Sequence, residues 1–420
     1  MKSKFSRLAK ELANCSTLTY YGKVLSIHGG FIESSHGGCI VGESAIIESR
    51  YGDVTCEVVS SKSNTCMLSP LNAVLGIATG DKIRFEEELP MLDLMTSPFG
   101  KVLDGYGKEW VEISSREEIS KTVPLYPKQI ALYEKDSVRE LLPTGCTLLD
   151  RIIPIGKGQK LGVFAGSGVG KSTLLNNLNN NIDCDVKIFL MVGERSREAA
   201  DFYNKYIESD RDERLVLIVS VTEDSPSMKK RAVYTALAYA KFYASQGKSV
   251  LFLMDSITRL AHSLRELGIS RGELPIVKGY PPSVFSELSK IVEQCGCFKN
   301  GGSITAIFSV LVDGEDFNEP VSDFMRGILD GHIILDRRIS NLGLYPAINI
   351  LASRSRIIGD ILSPKALSYE KSVRATYSRY EELRDFINTG MYVRGSSEDI
   401  DKLIETKEKL DDELFCWEDV

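Results

Sequence analysis

The nine residues Ala165-Gly166-Ser167-Gly168-Val169-Gly170-Lys171-Ser172-Thr173 have the types and spacing that hold a polyphosphate. Glycines let the main chain curl round an anion with several N–H groups turned inward. The start of a helix adds its positive dipole at the same point. In such a loop Lys171 reaches the β- and γ-phosphates, and the Ser172 hydroxyl is a ligand for Mg²⁺. Ala165 stands where the usual pattern has Gly. Two acidic positions complete the chemistry. The apolar run Leu251-Phe252-Leu253-Met254 ends in Asp255, the way a buried strand delivers one carboxylate to the metal shell. The apolar run 187–192 ends in Gly193-Glu194. A carboxylate there can polarise a water for in-line attack on a γ-phosphate. Glu198, one helical turn further on, is positioned to hold a metal-bound water. Residues 194–198 equally read as a charged helix start with Arg195 and Glu198 paired at i,i+3.

These groups need a scaffold that brings several strand ends together. From residue 158 onward, near-continuous apolar strands alternate with helical patterns. The strand candidates are 160–164, 187–192, 215–221, 250–254, 304–312, 332–335 and 348–351. The helical candidates include 196–207, 228–244, 257–267 and 284–294. That alternation means a mainly parallel sheet covered on both faces, with ligands at the carboxyl ends of its strands. Residues 20–88 instead show short β-type runs separated by Gly, Ser and Asn, the pattern of a small barrel or sandwich. His28 and His36 there flank glycine pairs and read as turn residues. Residues 90–145, with prolines at 90, 98, 124, 127 and 143, read as a connecting region. Beyond residue 364 strands fade, and 369–386 and 399–414 read as helices, the second strongly acidic.

Composition narrows the class. The 420 residues suffice for two or three domains, and the 43% apolar and 26% charged content is that of an ordinary globular chain. A net charge of −7 argues against generic binding to nucleic acid or anionic membranes. Nine cysteines and four histidines with no CxxC pair point to reduced thiols rather than a metal site, Cys295-Gly-Cys297 being the closest spacing. Residues 1–10 lack the apolar centre of a signal peptide, and no apolar run approaches the ~18 residues of a membrane span. The N-terminal Lys2, Lys4, Arg7 and Lys10, with Phe5, Leu8 and Leu12, form a basic, weakly amphipathic stretch, read as a solvated first helix.

Several separate motifs occur in a fixed order: 164–175 (FAGSGVGKSTLL), 193–198 (GERSRE), 255–259 (DSITR), 279–285 (GYPPSVF), 302–305 (GSIT), Asn318-Glu319-Pro320, 328–334 (ILDGHII) and 344–348 (LYPAI). With these the chain, from about residue 20 to 395, resembles the export ATPases of flagellar and type III secretion systems, relatives of the catalytic β subunit of rotary ATP synthases. The resemblance implies a RecA-like α/β core at 90–360, an N-terminal β-barrel domain at 1–89 and a C-terminal helical domain at 361–420. It implies a Mg²⁺-dependent ATPase powering protein export, with Glu194 as the catalytic glutamate and Arg195 facing the γ-phosphate. Tyr345 resembles the aromatic that packs on adenine, and Arg356 the arginine finger lent to a neighbouring subunit's nucleotide. If Glu194 and Arg356 serve one nucleotide from two subunits, a head-to-tail ring of identical chains suffices, by resemblance a hexamer. Implied partners are stator and central-stalk proteins, an export gate and chaperone–cargo complexes. The implied location is cytoplasmic, peripheral at the inner membrane, with no nucleic-acid partner. A rotary proton- or sodium-coupled ATPase subunit and a Rho-like hexameric nucleic-acid motor share the same core and are the alternatives. Ser196 stands where flagellar members commonly have Gly and Asn349 where export ATPases usually have Asp, and Arg354 adds a second arginine. The last helices are expected to be shorter than in typical members, which bears on stalk contacts.

Overall fold

The computed structural model describes residues 19–72, 75–86, 88–110, 118–208, 214–312, 316–389 and 391–417. The basic stretch at residues 2–12 lies outside them. Strands Tyr20–His28, Phe31–Ser34, Ser44–Ser49, Gly52–Ser61, Cys66–Pro70 and Lys82–Phe85 close into an antiparallel barrel. Alternating residues fill it: Val24, Ile32, Ala45, Ile47, Val58, Leu68, Ile83 and Phe85 are buried. Of the two expected β architectures, the barrel is the one formed. His36 packs against the rings of Tyr20 and Phe85, so it serves as an aromatic contact as well as turning the chain.

The larger sheet runs in the order Arg354–Ser355, Gly331–Ile334, Lys160–Ala165, Ser303–Leu311, Ser249–Asp255, Val186–Glu194, Leu215–Val221, Val102–Leu103. All neighbours along it are parallel except the first pair. Its strands read as unbroken apolar runs because both faces are covered. Ile188, Leu190 and Val192 pack under the helices Pro226–Ser245, Ile257–Ser270 and Pro282–Val292, whereas Phe189 and Met191 face the layer of Thr147–Ile152 and Lys171–Asn181. The same second layer receives Val373 and Leu414 from the C-terminal helices Pro364–Asn388 and Glu398–Leu414. Pro364 at the first turn and the Ser363 hydroxyl accepting from the Ala366 N–H start the first of these. Glu398, Asp399 and Asp401 in the first turn of the second complement its dipole. Among the described residues no helix is long and apolar enough to cross a membrane.

Two expectations are corrected. Residues 90–145 are more than a connector: Met91–Met95 pairs with Ile119–Pro124, and Val102–Leu103 adds an edge strand to the large sheet. The prolines fall at strand ends or between strands, where no ladder N–H is lost. Residues 348–351 form no strand. Ile348 makes one isolated bridge with Leu335 and the chain then turns, Ser353 N bonding Asn349 O. Their burial comes from loop packing, which an apolar run alone does not distinguish from a strand.

Barrel and core meet at a buried polar cluster. The Tyr126 hydroxyl donates to Glu57 at 2.6 Å, Lys230 lies 3.8 Å from Glu57 and 3.7 Å from Glu287, and the Tyr234 hydroxyl donates to Glu287 at 2.8 Å.

Candidate nucleotide site

The strand Lys160–Ala165 has parallel neighbours on both sides, so its carboxyl end is held rigidly. The chain leaves it through Gly166, Ser167, Gly168, Val169 and Gly170 and enters the helix at Lys171. Gly168 and Gly170 have φ of 76° and 96°, a region costly for any residue with a Cβ. Val169 is buried and anchors the loop, while Ser167, Gly168, Ser172 and Thr173 are exposed. Gly170 caps the helix with no side-chain acceptor. The first-turn N–H groups, which have no intrahelical partner, are therefore left for an anion. The Tyr345 ring borders the loop: its Cε1 would be 3.9 Å from a Cβ placed on Gly170. Its hydroxyl lies 2.9 Å from Ser340 Oγ.

Beside the loop, three adjacent parallel strands present Ser309, Asp255 and Glu194. Asp255 is buried, and its Oδ1 accepts from Lys171 Nζ at 2.5 Å and from Ser309 Oγ at 2.6 Å. No described residue bonds its Oδ2. A serine hydroxyl and a free carboxylate oxygen beside a phosphate loop are hard donors of the type Mg²⁺ takes. Glu194 is buried to 3% exposure. Its Oε2 pairs with Arg259 Nη1 at 2.9 Å, and its Oε1 has no partner among the described residues. Burial, with the carboxyls of Glu198 and Asp255 adding to it, pushes the Glu194 carboxyl up to about 8, against the opposing charges of Arg259 and Lys171. In this arrangement it is mostly a neutral acid at pH 7, aimed into the site with one oxygen unused. Asp255, Lys171 and Glu194 thus share one electrostatic cluster at one end of the sheet.

Glu198 is exposed in the first turn of Ser196–Glu208, its carboxyl beside Glu194. Arg195 is exposed and forms no ion pair with another described residue; the i,i+3 pairing with Glu198 is not formed, and Arg197–Asp201 at 3.9 Å takes its place. Arg356 lies elsewhere. Its main-chain N–H donates to Asp330 O, level with Lys160 at the amino end of the phosphate-loop strand. Five residues of strand separate that level from Ala165, about 17 Å at ~3.3 Å per residue. The exposed Arg356 guanidinium donates to Arg326 O at 2.8 Å and Gly327 O at 3.2 Å.

Two residues of the cluster escape a reading by sequence. Arg259 sits one turn after Asp255 and passes over Gly193, whose φ of 68° strains any residue with a Cβ, and a Cβ there would meet Arg259 Cβ tightly at 3.1 Å. Ser309 is one of three buried hydroxyl residues, with Ser303 and Thr305, in the strand Ser303–Leu311, and the one nearest its carboxyl end. A hydroxyl in such a run needs a partner, and this one finds Asp255.

The model of the ATP synthase alpha/beta family, nucleotide-binding domain, matches residues 145–355, and that of the T3SS EscN ATPase C-terminal domain matches residues 362–414. The flagellum-specific ATP synthase of Borreliella burgdorferi is 36% identical over 411 residues, covering 98% of this chain and 94% of the relative. That of Bacillus subtilis is 35% identical over 405 residues, covering 94% and 92%. Among solved structures, the assembled ATPase EscN from the enteropathogenic E. coli type III secretion system superposes with a TM-score of 0.87 at 29% identity, covering 94% of each chain. EscN in complex with its central stalk EscO superposes with a TM-score of 0.83 at 28% identity and the same coverage.

Proposed function

The chain belongs to the ATP synthase α/β family, among its flagellar and type III secretion ATPases, and from that premise we propose how neighbouring copies divide ATP hydrolysis between them. Lys171 and the N–H groups of Gly166–Thr173 bind the β- and γ-phosphates, and Tyr345 packs on the adenine. Glu194, once ionised, aims a water at the γ-phosphorus and accepts its proton, with Arg259 steering the carboxylate. Arg195, exposed at the same strand end, turns to the γ-phosphate when nucleotide is bound. Ser172 and Asp255, with Glu198 through a water, are the residues that would hold Mg²⁺, which would supply charge neutralisation to the bound triphosphate. Arg356 serves the nucleotide of the adjoining copy, supplying positive charge as the leaving group develops its own. A closed head-to-tail ring of identical chains, six by analogy with the family, then completes every site.

The observation that carries this reading is the distance along the sheet. Arg356 stands about 17 Å from its own phosphate loop by strand rise, so its guanidinium cannot serve the nucleotide held there. We divide the chain into a barrel domain at 1–89, an ATP-binding domain at 90–360 and a helical domain at 361–420. Hydrolysis in this reading drives chaperone release and unfolding of export substrates at the cytoplasmic face of the inner membrane, through an export gate and stator. EscN's complex with a central stalk supports a stalk partner.

Mixed rings test the division. Arg356→Ala and Lys171→Ala chains are each expected to be inactive alone. Assembled one to one, they should regain roughly a quarter of wild-type turnover, because one interface in four combines an intact loop with an intact Arg356. Failure of the mixture to recover any turnover refutes action in trans.

A further inference from the structure

Arg337 opens the short helix Arg337–Asn341 that follows the strand Gly331–Ile334. Its Nη2 donates to the Ser167 carbonyl at 3.0 Å. Ser167 is the second residue of the phosphate loop, two beyond the strand's last residue, Ala165. A loop that turns its N–H groups inward must turn carbonyls outward, and this outward carbonyl is the one Arg337 grips. The grip is anchored. Asp336 caps the helix by accepting from Arg338 N at 2.8 Å and is itself held by Asn349 Nδ2 at 3.0 Å. Ser340 on the same helix touches the Tyr345 hydroxyl, and the Arg338 guanidinium lies 2.9 Å from Asp336 and 3.8 Å from Glu381 on the C-terminal helix Pro364–Asn388. One short helix therefore contacts the phosphate loop, the aromatic beside it and the C-terminal helices.

We propose that Arg337 is a positioning residue for nucleotide binding, holding Ser167 so that the loop keeps its anion-binding shape before ATP arrives. This rests on residues 166–173 being the phosphate site. Its work is done on binding rather than on the chemical step. An unheld loop must be ordered by the nucleotide itself, which lowers affinity for ATP and ADP alike. Lysine keeps the charge and a donor but lacks the rigid planar guanidinium that presents Nη2 to this carbonyl.

The test uses the full-length protein, with Kd for ATP and ADP from equilibrium titration and KM and kcat from phosphate release. Arg337→Ala should weaken both nucleotides and raise KM by about tenfold, the scale of one charge-assisted hydrogen bond, while kcat falls by less than about threefold. Arg337→Lys should recover about half of that loss on a logarithmic scale, and the nucleotide-free Tm should stay within about 2 °C of wild type in both. Unchanged Kd in Arg337→Ala overturns the proposal, as does a loss confined to kcat or a Tm drop that accounts for the lost binding. Lys171→Ala run alongside separates the two levels. If it too binds ATP normally, the phosphate-site reading has failed rather than the role of Arg337.

Discussion

Removing Arg259 takes away the charge that opposes burial in setting the ionisation of Glu194. The Glu194 carboxyl stands at about 8, with burial raising it and Arg259 at 2.9 Å opposing. At pH 7.5 about a quarter of it is ionised. Loss of an adjacent opposite charge raises a carboxyl by about one to three units. Taking one to two, the ionised fraction at pH 7.5 falls to between about 3% and about 0.3%, and kcat/KM falls by about 8- to 80-fold. At pH 9.5 the deficit should shrink to about fourfold or less, because the wild type is then almost fully ionised and the variant between about a quarter and about three quarters ionised. The assay is kcat/KM for ATP from pH 6.5 to 9.5 in wild type, Arg259→Ala and Arg259→Lys. The wild-type profile should rise with its midpoint near 8 and level off above about pH 9, that of Arg259→Ala should shift to higher pH, and that of Arg259→Lys should fall between them. An equal loss at every pH with an unmoved midpoint refutes the argument, and would mean that Arg259 acts on the nucleotide alone.

Lys171→Ala should weaken ATP binding by about 10- to 100-fold, whereas Glu194→Gln should bind ATP within about threefold of wild type and not turn it over; equal loss of affinity in both contradicts the division of roles. Glu194 also leaves a mark on stability. Its folded-state value lies above the ordinary 4.5, so the folded protein holds the proton more tightly than the unfolded chain. That contribution is complete below 4.5 and is lost as pH rises through about 8. The Tm of Glu194→Gln relative to wild type, without nucleotide, should therefore climb between pH 5 and pH 9; a constant difference would refute the burial argument. Gly193→Ala should cost about 1–2 kcal/mol of stability from its left-handed backbone. It should also displace Arg259, giving a milder alkaline shift of the same pH profile, and a Tm equal to wild type would count against the strain.

The grouping of the candidate site residues at one end of the sheet was readable because it is written in short spacings. Gly168, Gly170, Lys171 and Ser172 lie within five residues, and Asp255 and Glu194 each end an apolar run, so local geometry alone aims them the same way once the strands are parallel. Periodicity likewise carried the helices and most strands, since covering both faces of a parallel sheet forces near-continuous apolar segments. Long-range packing settled the rest. Arg259 against Glu194, Ser309 against Asp255 and Arg337 against Ser167 join residues 65, 54 and 170 positions apart, and no spacing rule reaches that far. The strands Met91–Met95 and Ile119–Pro124 are short, the first partly and the second almost wholly exposed, and owe their form to the partners they meet rather than to their own propensity. The position of Arg356 at the far end from its own loop follows from the antiparallel return of Arg354–Ser355 against Gly331–Ile334. A strand's direction is a property of the neighbour it hydrogen-bonds, and the residues of the strand itself do not encode it.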